Sequence, residues 1–279
     1  MHVFSVDVED WYQSSFDFEA PVSEICVANT RHVLSVLDRL NVKGTFFVQG
    51  LVAKEFPYLI AEIKEKGHEI QAHGYSHRPI NRMTPSEFRR ELSDTIRRIE
   101  DITSQKVYGF RAPDFSIERE SFWAFEVMSE CGIIYDSSIF PLKTRRYGIS
   151  GFERSGSTIR TPSGPIKELP VSVLELSRPK GLRIPVGGGG YFRLFPLWFL
   201  RYSLKRLERE GLPFVLYCHP YEFNPSEWRQ LRNKIPLRRR IHQGLGRGGF
   251  EYKVMQLLKI GAFGTMSELL QQSGQKRRG

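Results

Sequence analysis

The sequence predicts an α/β fold of repeated βα units around a parallel sheet or barrel, folded as a single domain. Short β-rich runs alternate with helical periodicities through most of the chain, the pattern of βα units rather than of segregated strands and helices. A length of 279 residues lies in the size range where α/β barrels form one domain. The apolar fraction of 40% and charged fraction of 26% are those of an ordinary globule and exclude a disordered or fibrous chain.

Taken in order, residues 3–8 read as a first buried strand and 22–40 as a helix with Val33, Leu34, Leu37 and Leu40 on one side. Residues 44–48 give a second strand. A short helix at 57–66 stops at Gly67, and a strand at 69–72 delivers His73 at its C-terminal end. Residues 85–101 carry the fullest helix signal: Thr84 as N-cap, Pro85 at N1, Glu87 at N3, then Phe88, Leu92, Ile96 and Ile99 on one face. Residues 107–110 read as a strand ending at Arg111, 119–131 as a helix closed by Gly132, and 133–135 as a strand ending at Asp136. Residues 140–190, with Pro141, Pro162, Pro165, Pro170, Pro179 and Pro185, predict long loops and short strands at the mouth of the fold. A helix at 197–211 and an apolar strand at 213–218, ending at His219, complete the pattern.

Asp7, His73, Arg111, Asp136 and His219 thus each stand at the C-terminal end of an expected strand. In α/β barrels and open α/β sheets that edge is where sites assemble, so these five positions converge. His73 and His77, four residues apart, suit a shared metal ion, although seven histidines make one such spacing unremarkable by itself. The acidic group Asp7, Glu9 and Asp10 strengthens the reading, because two imidazoles and one carboxylate form a recurrent open zinc site. The bland alternative for these carboxylates is a solvated loop with an N-cap. Three carboxylates in four residues repel one another unless a cation sits among them, and Arg111 is a candidate. His219 is either a satisfied core histidine or a general acid.

The formal charge of +10 is uneven: Arg229, Arg232, Lys234, Arg238, Arg239, Arg240 and Arg247 fall within 228–250, which has no Asp or Glu. Such a stretch attracts the phosphates of a lipid-linked sugar, an anionic membrane or nucleic acid, or is simply a solvated face. The 3 cysteines, Cys26, Cys131 and Cys218, lack C-x-x-C spacing and read as reduced, partly buried thiols. The apolar stretch at 191–202 is too short to span a bilayer and carries Arg193 and Arg201. With no secretory signal in the sequence, the expected location is cytoplasmic, peripheral to the inner membrane.

These segments resemble the polysaccharide deacetylase family, also called the NodB-homology domain or carbohydrate esterase family four. The resemblance is carried by Ser5-Val6-Asp7-Val8-Glu9-Asp10, His73-Gly74-Tyr75-Ser76-His77, Arg111-Ala112-Pro113 and Leu216-Tyr217-Cys218-His219. The spelling is most similar to a subgroup associated with exopolysaccharide loci of the PEP-CTERM type, through residues 7–11, 135–138, 187–193 and 219–222. The family implies a distorted (β/α)7 barrel. Here it would occupy 1–271, with a C-terminal extension from about 222 and a basic flexible tail at 272–279. It implies one divalent ion, taken as Zn2+, held by His73 and His77 with Glu9 or Asp10. It implies that Asp7 is general base, oriented by Arg111, that His219 is general acid, and that Asp136 orients the catalytic histidine. Departures are the spacing of the second carboxylate, Gly74 where Ser or Thr is usual, and Pro220 after His219.

The function expected is hydrolysis of an N-acetyl group on an amino sugar, in a bacterial polysaccharide or lipid-linked glycan precursor, without specific nucleic-acid binding. A deformylase or other small-amide hydrolase would use the same groups, and a glycan-binding protein would need only part of them. An iron-dependent oxygenase shares the donor set but usually pairs a histidine with a nearby acid. For the sugar contact, Pro113, Tyr191 and Phe192 are candidates, with Gly187–Gly190 letting backbone approach the ring. The plainer reading of 191–201 is a core helix after a glycine loop.

Overall fold

A computed structural model describes residues 1–176, 181–230 and 235–275, without the side chains of residues 228, 230, 239, 240, 242 and 273–275. Pro179, Arg232, Lys234 and the last residues of the basic tail, 276–279, lie outside the described residues, as do the side chains of Arg239 and Arg240.

The first apolar run forms β1 (His2–Val8), buried along its whole length. After a short helix α1 (Trp11–Ser15) comes α2 (Glu24–Leu40), which turns Val27, Val33, Leu34 and Leu37 onto the sheet and ends at Asn41 in the left-handed region. Then follow β2 (Thr45–Val48), α3 (Gly50–Glu55), α4 (Pro57–Glu65) and β3 (Glu69–Ala72). Helix α5 (Pro85–Thr103) begins with the expected capping box, in which Thr84 Oγ1 accepts from Glu87 N–H and Glu87 Oε2 accepts from Thr84 N–H. Two-residue strands β4 (Gly109–Phe110) and β5 (Tyr135–Asp136) flank α6 (Trp123–Glu130).

The proline-rich region holds more strand than its sequence suggests. It contains the antiparallel pair β6 (Ser157–Thr161) and β7 (Gly164–Glu168), and a second pair, β8 (Val173–Glu175) with β9 (Arg183–Pro185). Short α7 (Gly189–Leu194) and α8 (Leu197–Arg209) lead to β10 (Val215–Cys218). The C-terminal part adds α9 (Glu227–Gln230), α10 (Leu237–Gly244), α11 (Phe250–Leu258), β11 (Phe263–Gly264) and α12 (Met266–Gln275). Helix α12 carries on past the expected start of the tail at 272, launched by reciprocal bonds between Thr265 and Glu268.

The main sheet runs β10-β1-β2-β3-β4-β5-β7-β6, with β11 also pairing β1. All neighbours from β10 to β7 are parallel, so the strands carrying Asp7, His73, Arg111 and His219 point their C-terminal ends the same way. The ladder is an open path. Its far side is drawn back toward β10 by single backbone bonds, Ser172 N–H to Val215 O (3.3 Å) and Tyr217 N–H to Gly187 O (2.7 Å). The three cysteines are unpaired.

Gly187 and Gly188 serve this second approach rather than a sugar. A Cβ on Gly188 would lie 2.1 Å from Tyr217 O, and its φ of +146° is one that only glycine adopts freely. Gly188→Ala should therefore destabilise the protein by roughly 1–3 kcal/mol in denaturant unfolding, opposite in sign to the usual benefit of removing a glycine.

Candidate active site

Alternation along β1 puts Ser5 and Asp7 on one face, and both meet Arg111, which emerges from the end of β4. Arg111 is fully buried. Its Nη1 donates to Asp7 Oδ1 (2.7 Å) and Ser5 Oγ (2.9 Å), Nε to Ser137 O (3.2 Å) and Nη2 to Ser137 Oγ (3.0 Å). The guanidinium lies 4.2 Å from the centre of the Phe47 ring and 5.8 Å from that of Tyr217. Asp7 Oδ2 makes no protein hydrogen bond among the described residues, and Asp7 lines the cleft above.

His73 leaves β3 with its Nδ1 2.8 Å from Arg111 O, a bond that places the proton on Nδ1 and leaves the Nε2 lone pair free. The chain then turns sharply: Gly74 has φ +69° and His77 φ +65°. The strained conformation at His77 brings the two imidazoles to a centroid distance of 5.3 Å. Glu9, one residue past β1, contacts both: its Oε2 is 3.3 Å from His73 Nε2 and closer still to His77 Nε2.

The three residues are buried and their ligand atoms lie within 4.8 Å of one another. Glu9 Oε2 satisfies no hydrogen-bond geometry despite both contacts, so the donors face a common point rather than pair. This donor set fits a divalent ion with an open position. Burial would raise the Glu9 pKa, but His77 and His73 hold it well below the usual carboxylate range. Burial would lower the His77 pKa, but Glu9 raises it.

Asp10, the other candidate ligand, turns away. Its Oδ1 caps α1 by accepting from Gln13 N–H (2.9 Å), and its Oδ2 accepts from Ser23 N–H (2.9 Å) and Ser23 Oγ (2.5 Å). Both oxygens are committed, and Asp10 is not in the ligand group.

His219, past the end of β10, stands on the other side of Glu9, with Nε2 3.9 Å from Glu9 Oε1. Glu222 accepts from His219 N–H (3.0 Å) and meets its Nδ1 at 3.2 Å, while Arg193 Nη1 lies 3.4 Å from the other Glu222 oxygen. Burial alone would lower the His219 pKa; Glu222, with Glu9 and Asp7 behind it, raises it to about 9. The ring stacks on Tyr221 at 4.8 Å.

Asp136 does not reach His219. Its carboxylate accepts from Ser138 N–H (3.0 Å) and Ser138 Oγ, and lies against Glu168. Burial raises both carboxyls, Glu168 well above its usual range, and the pair supports the turn whose Ser137 grips Arg111. Glu222 occupies the position beside the histidine that the sequence reading gave to Asp136. The His-Pro-Tyr-Glu run held that signal, since residues i and i+3 of a helical turn share a face.

A cleft of about 720 Å³ covers these groups, lined also by Tyr147, Tyr191, Arg193 and Tyr217. Tyr191 is at its wall, but Phe192 is fully buried against Phe250 in the core, because one step along α7 turns the side chain inward. Pro113 is buried too, and packs on the His73–His77 turn: a Cβ on Gly74 would come 3.1 Å from its ring. That close approach and the left-handed φ of +69° together favour glycine at position 74.

Residues 14–133 match the polysaccharide deacetylase family, and residues 137–271 match a family described as a domain of unknown function, DUF3473. The polysaccharide deacetylase match thus spans somewhat under half of the chain. A peptidoglycan deacetylase-like protein of Gibberella zeae is 30% identical over 154 residues, 52% of this chain and 44% of that protein, so the chain spans under half the length of that relative. A structure described as a "putative polysaccharide deacetylase" from Mycobacterium smegmatis superposes with a TM-score of 0.65 at 21% identity, over 98% of this chain and 90% of that one. A family pseudoenzyme from Bacillus anthracis superposes at 0.52 with 16% identity, over 97% of this chain and 65% of that one. The fold is therefore one that a pseudoenzyme also has.

The deacetylase-family match begins after Asp7 and Glu9 and ends before His219. The site is thus assembled from β1, from the first matched segment with His73, His77 and Arg111, and from the second with Arg193, His219 and Glu222.

A dication must displace the proton that Glu9 stabilises on His77, so its affinity should rise with pH through and above the ordinary histidine range. Equilibrium dialysis with zinc at several pH values checks this. The double variant His73→Ala, His77→Ala should lose the ion, and retention of full metal content would misplace the site.

Proposed function

We propose that this chain is a metal-dependent hydrolase that removes the N-acetyl group from an amino sugar of a bacterial glycan. The observation that carries the reading is one cleft that gathers the Glu9–His73–His77 group, Asp7 held by Arg111, and His219 held by Glu222. A divalent ion held by Glu9, His73 and His77, of which zinc suits the donors best, supplies a Lewis acid that brings a water pKa down to about 7 and polarises the carbonyl.

The chain's own groups supply the rest. Asp7, with one oxygen fixed by Arg111 and the other facing the cleft, takes the proton of the attacking water. His219 stays protonated to about pH 9 and delivers its proton to the amide nitrogen as the carbon–nitrogen bond breaks. Acetate and a free amine leave. Tyr191 offers a partly exposed ring at the cleft wall for a pyranose face. An amino sugar in a polymer or lipid-linked precursor suits the open cleft better than a small formamide, which a closed pocket would serve. The deacetylase-like name of the Gibberella relative points the same way.

Acetate release from N-acetylated chito-oligosaccharide, with formate release from an N-formyl analogue as control, tests the reaction. Asp7→Asn should keep the ion and lower turnover by about a hundred- to ten-thousand-fold. His219→Ala should do the same and remove the alkaline limb of the rate profile; turnover within a few-fold of wild type in either variant rejects its role.

The sign of the pH effect follows from the raised pKa: activity needing protonated His219 persists at neutral pH and falls as pH rises through about 9. Glu222→Gln removes the largest raising contribution, so the fall should move toward the ordinary histidine value. An unmoved alkaline limb in that variant would assign the ionisation to another group.

A further inference from the structure

The segment after β10 is fastened to the site from below. Ile235 is buried against Trp11, Gln243 accepts from the Trp11 indole N–H, and Arg247, 2% exposed, lies 4.0 Å over the Trp11 ring. These contacts fix one side of α10 and leave the other uncovered. Leu237, Ile241 and Leu245, at i, i+4 and i+8, are 62%, 56% and 52% exposed. Leu194, 62% exposed, joins them at the cleft mouth, where Leu194 and Leu245 both line the cleft. Trp198, four residues beyond Leu194, is 70% exposed.

An apolar ridge of this kind is unusual on a solvated face and marks an interaction surface. Its surroundings select the partner. Leu237 is followed by Arg238, Arg239 and Arg240, Arg238 is exposed, and residues 228–250 carry no acidic side chain to offset them. An amphipathic helix with exposed leucine and isoleucine beside consecutive arginines is the pattern of an interfacial helix, whose apolar side enters the acyl boundary while its cations meet lipid phosphates.

We infer that α10 and the adjoining Leu194 dock this chain on an anionic lipid bilayer, with the cleft mouth at the membrane surface. A glycan carried on a lipid would then present its sugar to the cleft from that side. The docking surface rests on the exposed ridge and its charge, not on the reaction proposed above, and its test needs no catalysis.

The test is co-sedimentation of the full chain with phosphatidylcholine vesicles, with and without about one third phosphatidylglycerol. Binding should require the anionic lipid and weaken as salt shortens the range of the attraction, about 10 Å at 0.1 M. The double variant Leu237→Asp, Ile241→Asp should bind at least about tenfold more weakly, with unchanged thermal unfolding and zinc content. The triple variant Arg238→Glu, Arg239→Glu, Arg240→Glu, which leaves the ridge intact, should also lose the anionic preference.

Equal binding to both vesicle types, binding to neither, or undiminished binding by the double variant overturns the inference. So does a wild-type dimer in sedimentation equilibrium that the double variant dissociates, since the ridge would then be covered by a second copy.

Discussion

The buried Arg111 guanidinium is the constraint around which the site is arranged. It bonds to Ser5 and Asp7 of β1 and to Ser137 past β5, and lies between Phe47 of β2 and Tyr217 of β10. Removing such a charge from water costs several kcal/mol, which only near-complete hydrogen bonding offsets. Its own carbonyl also fixes the His73 ring, so one residue positions both the Asp7 carboxylate and the His73 imidazole. Any shift of β4 relative to β1 would therefore misplace Asp7 and His73 together.

Glu222 does for the other side of the cleft what Arg111 does for Asp7. A pKa of about 9 against an ordinary 6.5 means that the surroundings favour the imidazolium by on the order of 3 kcal/mol. Glu222 can do this from a buried position because Arg193 lies against its second oxygen, and burial of the carboxylate is then less costly. The cleft thus holds a carboxylate paired with a guanidinium, Asp7 with Arg111, and an imidazole paired with a carboxylate, His219 with Glu222.

Periodicity and capping made much of the fold legible. The α2 and α5 faces, the Thr84 capping box and the strand ends at Asp7, His73, Arg111 and His219 all follow from local residue patterns. What was not legible depends on partners distant in sequence. Asp136 has the same local appearance as an acid that reaches a histidine, but its neighbour is Glu168. Phe192 differs from Tyr191 only by one helical step, and nothing local says which one faces the cleft. Pro113 and Gly74 touch each other across two loops, and Gly187 and Gly188 serve strand approach. Glu9 and Asp10 are chemically near-equivalent in sequence; a cap at the start of α1, a helix too short to show periodicity, separates their roles.

The division of the site between two matched segments has a physical consequence. The first brings His73, His77 and Arg111, which with Asp7 and Glu9 from the β1 end just before it complete the candidate ligand group and the Asp7–Arg111 pair, yet it holds no proposed acid for a departing amine. Hydrolysis of an amide needs that acid, because an unprotonated amine is a poor leaving group. The second segment supplies His219, Glu222 and Arg193, and its β10 pairs directly with β1, holding Val6 opposite Cys218. Register along that one parallel pair fixes how far His219 stands from Glu9 and Asp7. A change at the β10 edge could therefore leave the sheet intact and still displace His219 and Glu222, so side-chain geometry rather than overall similarity bears on the chemistry.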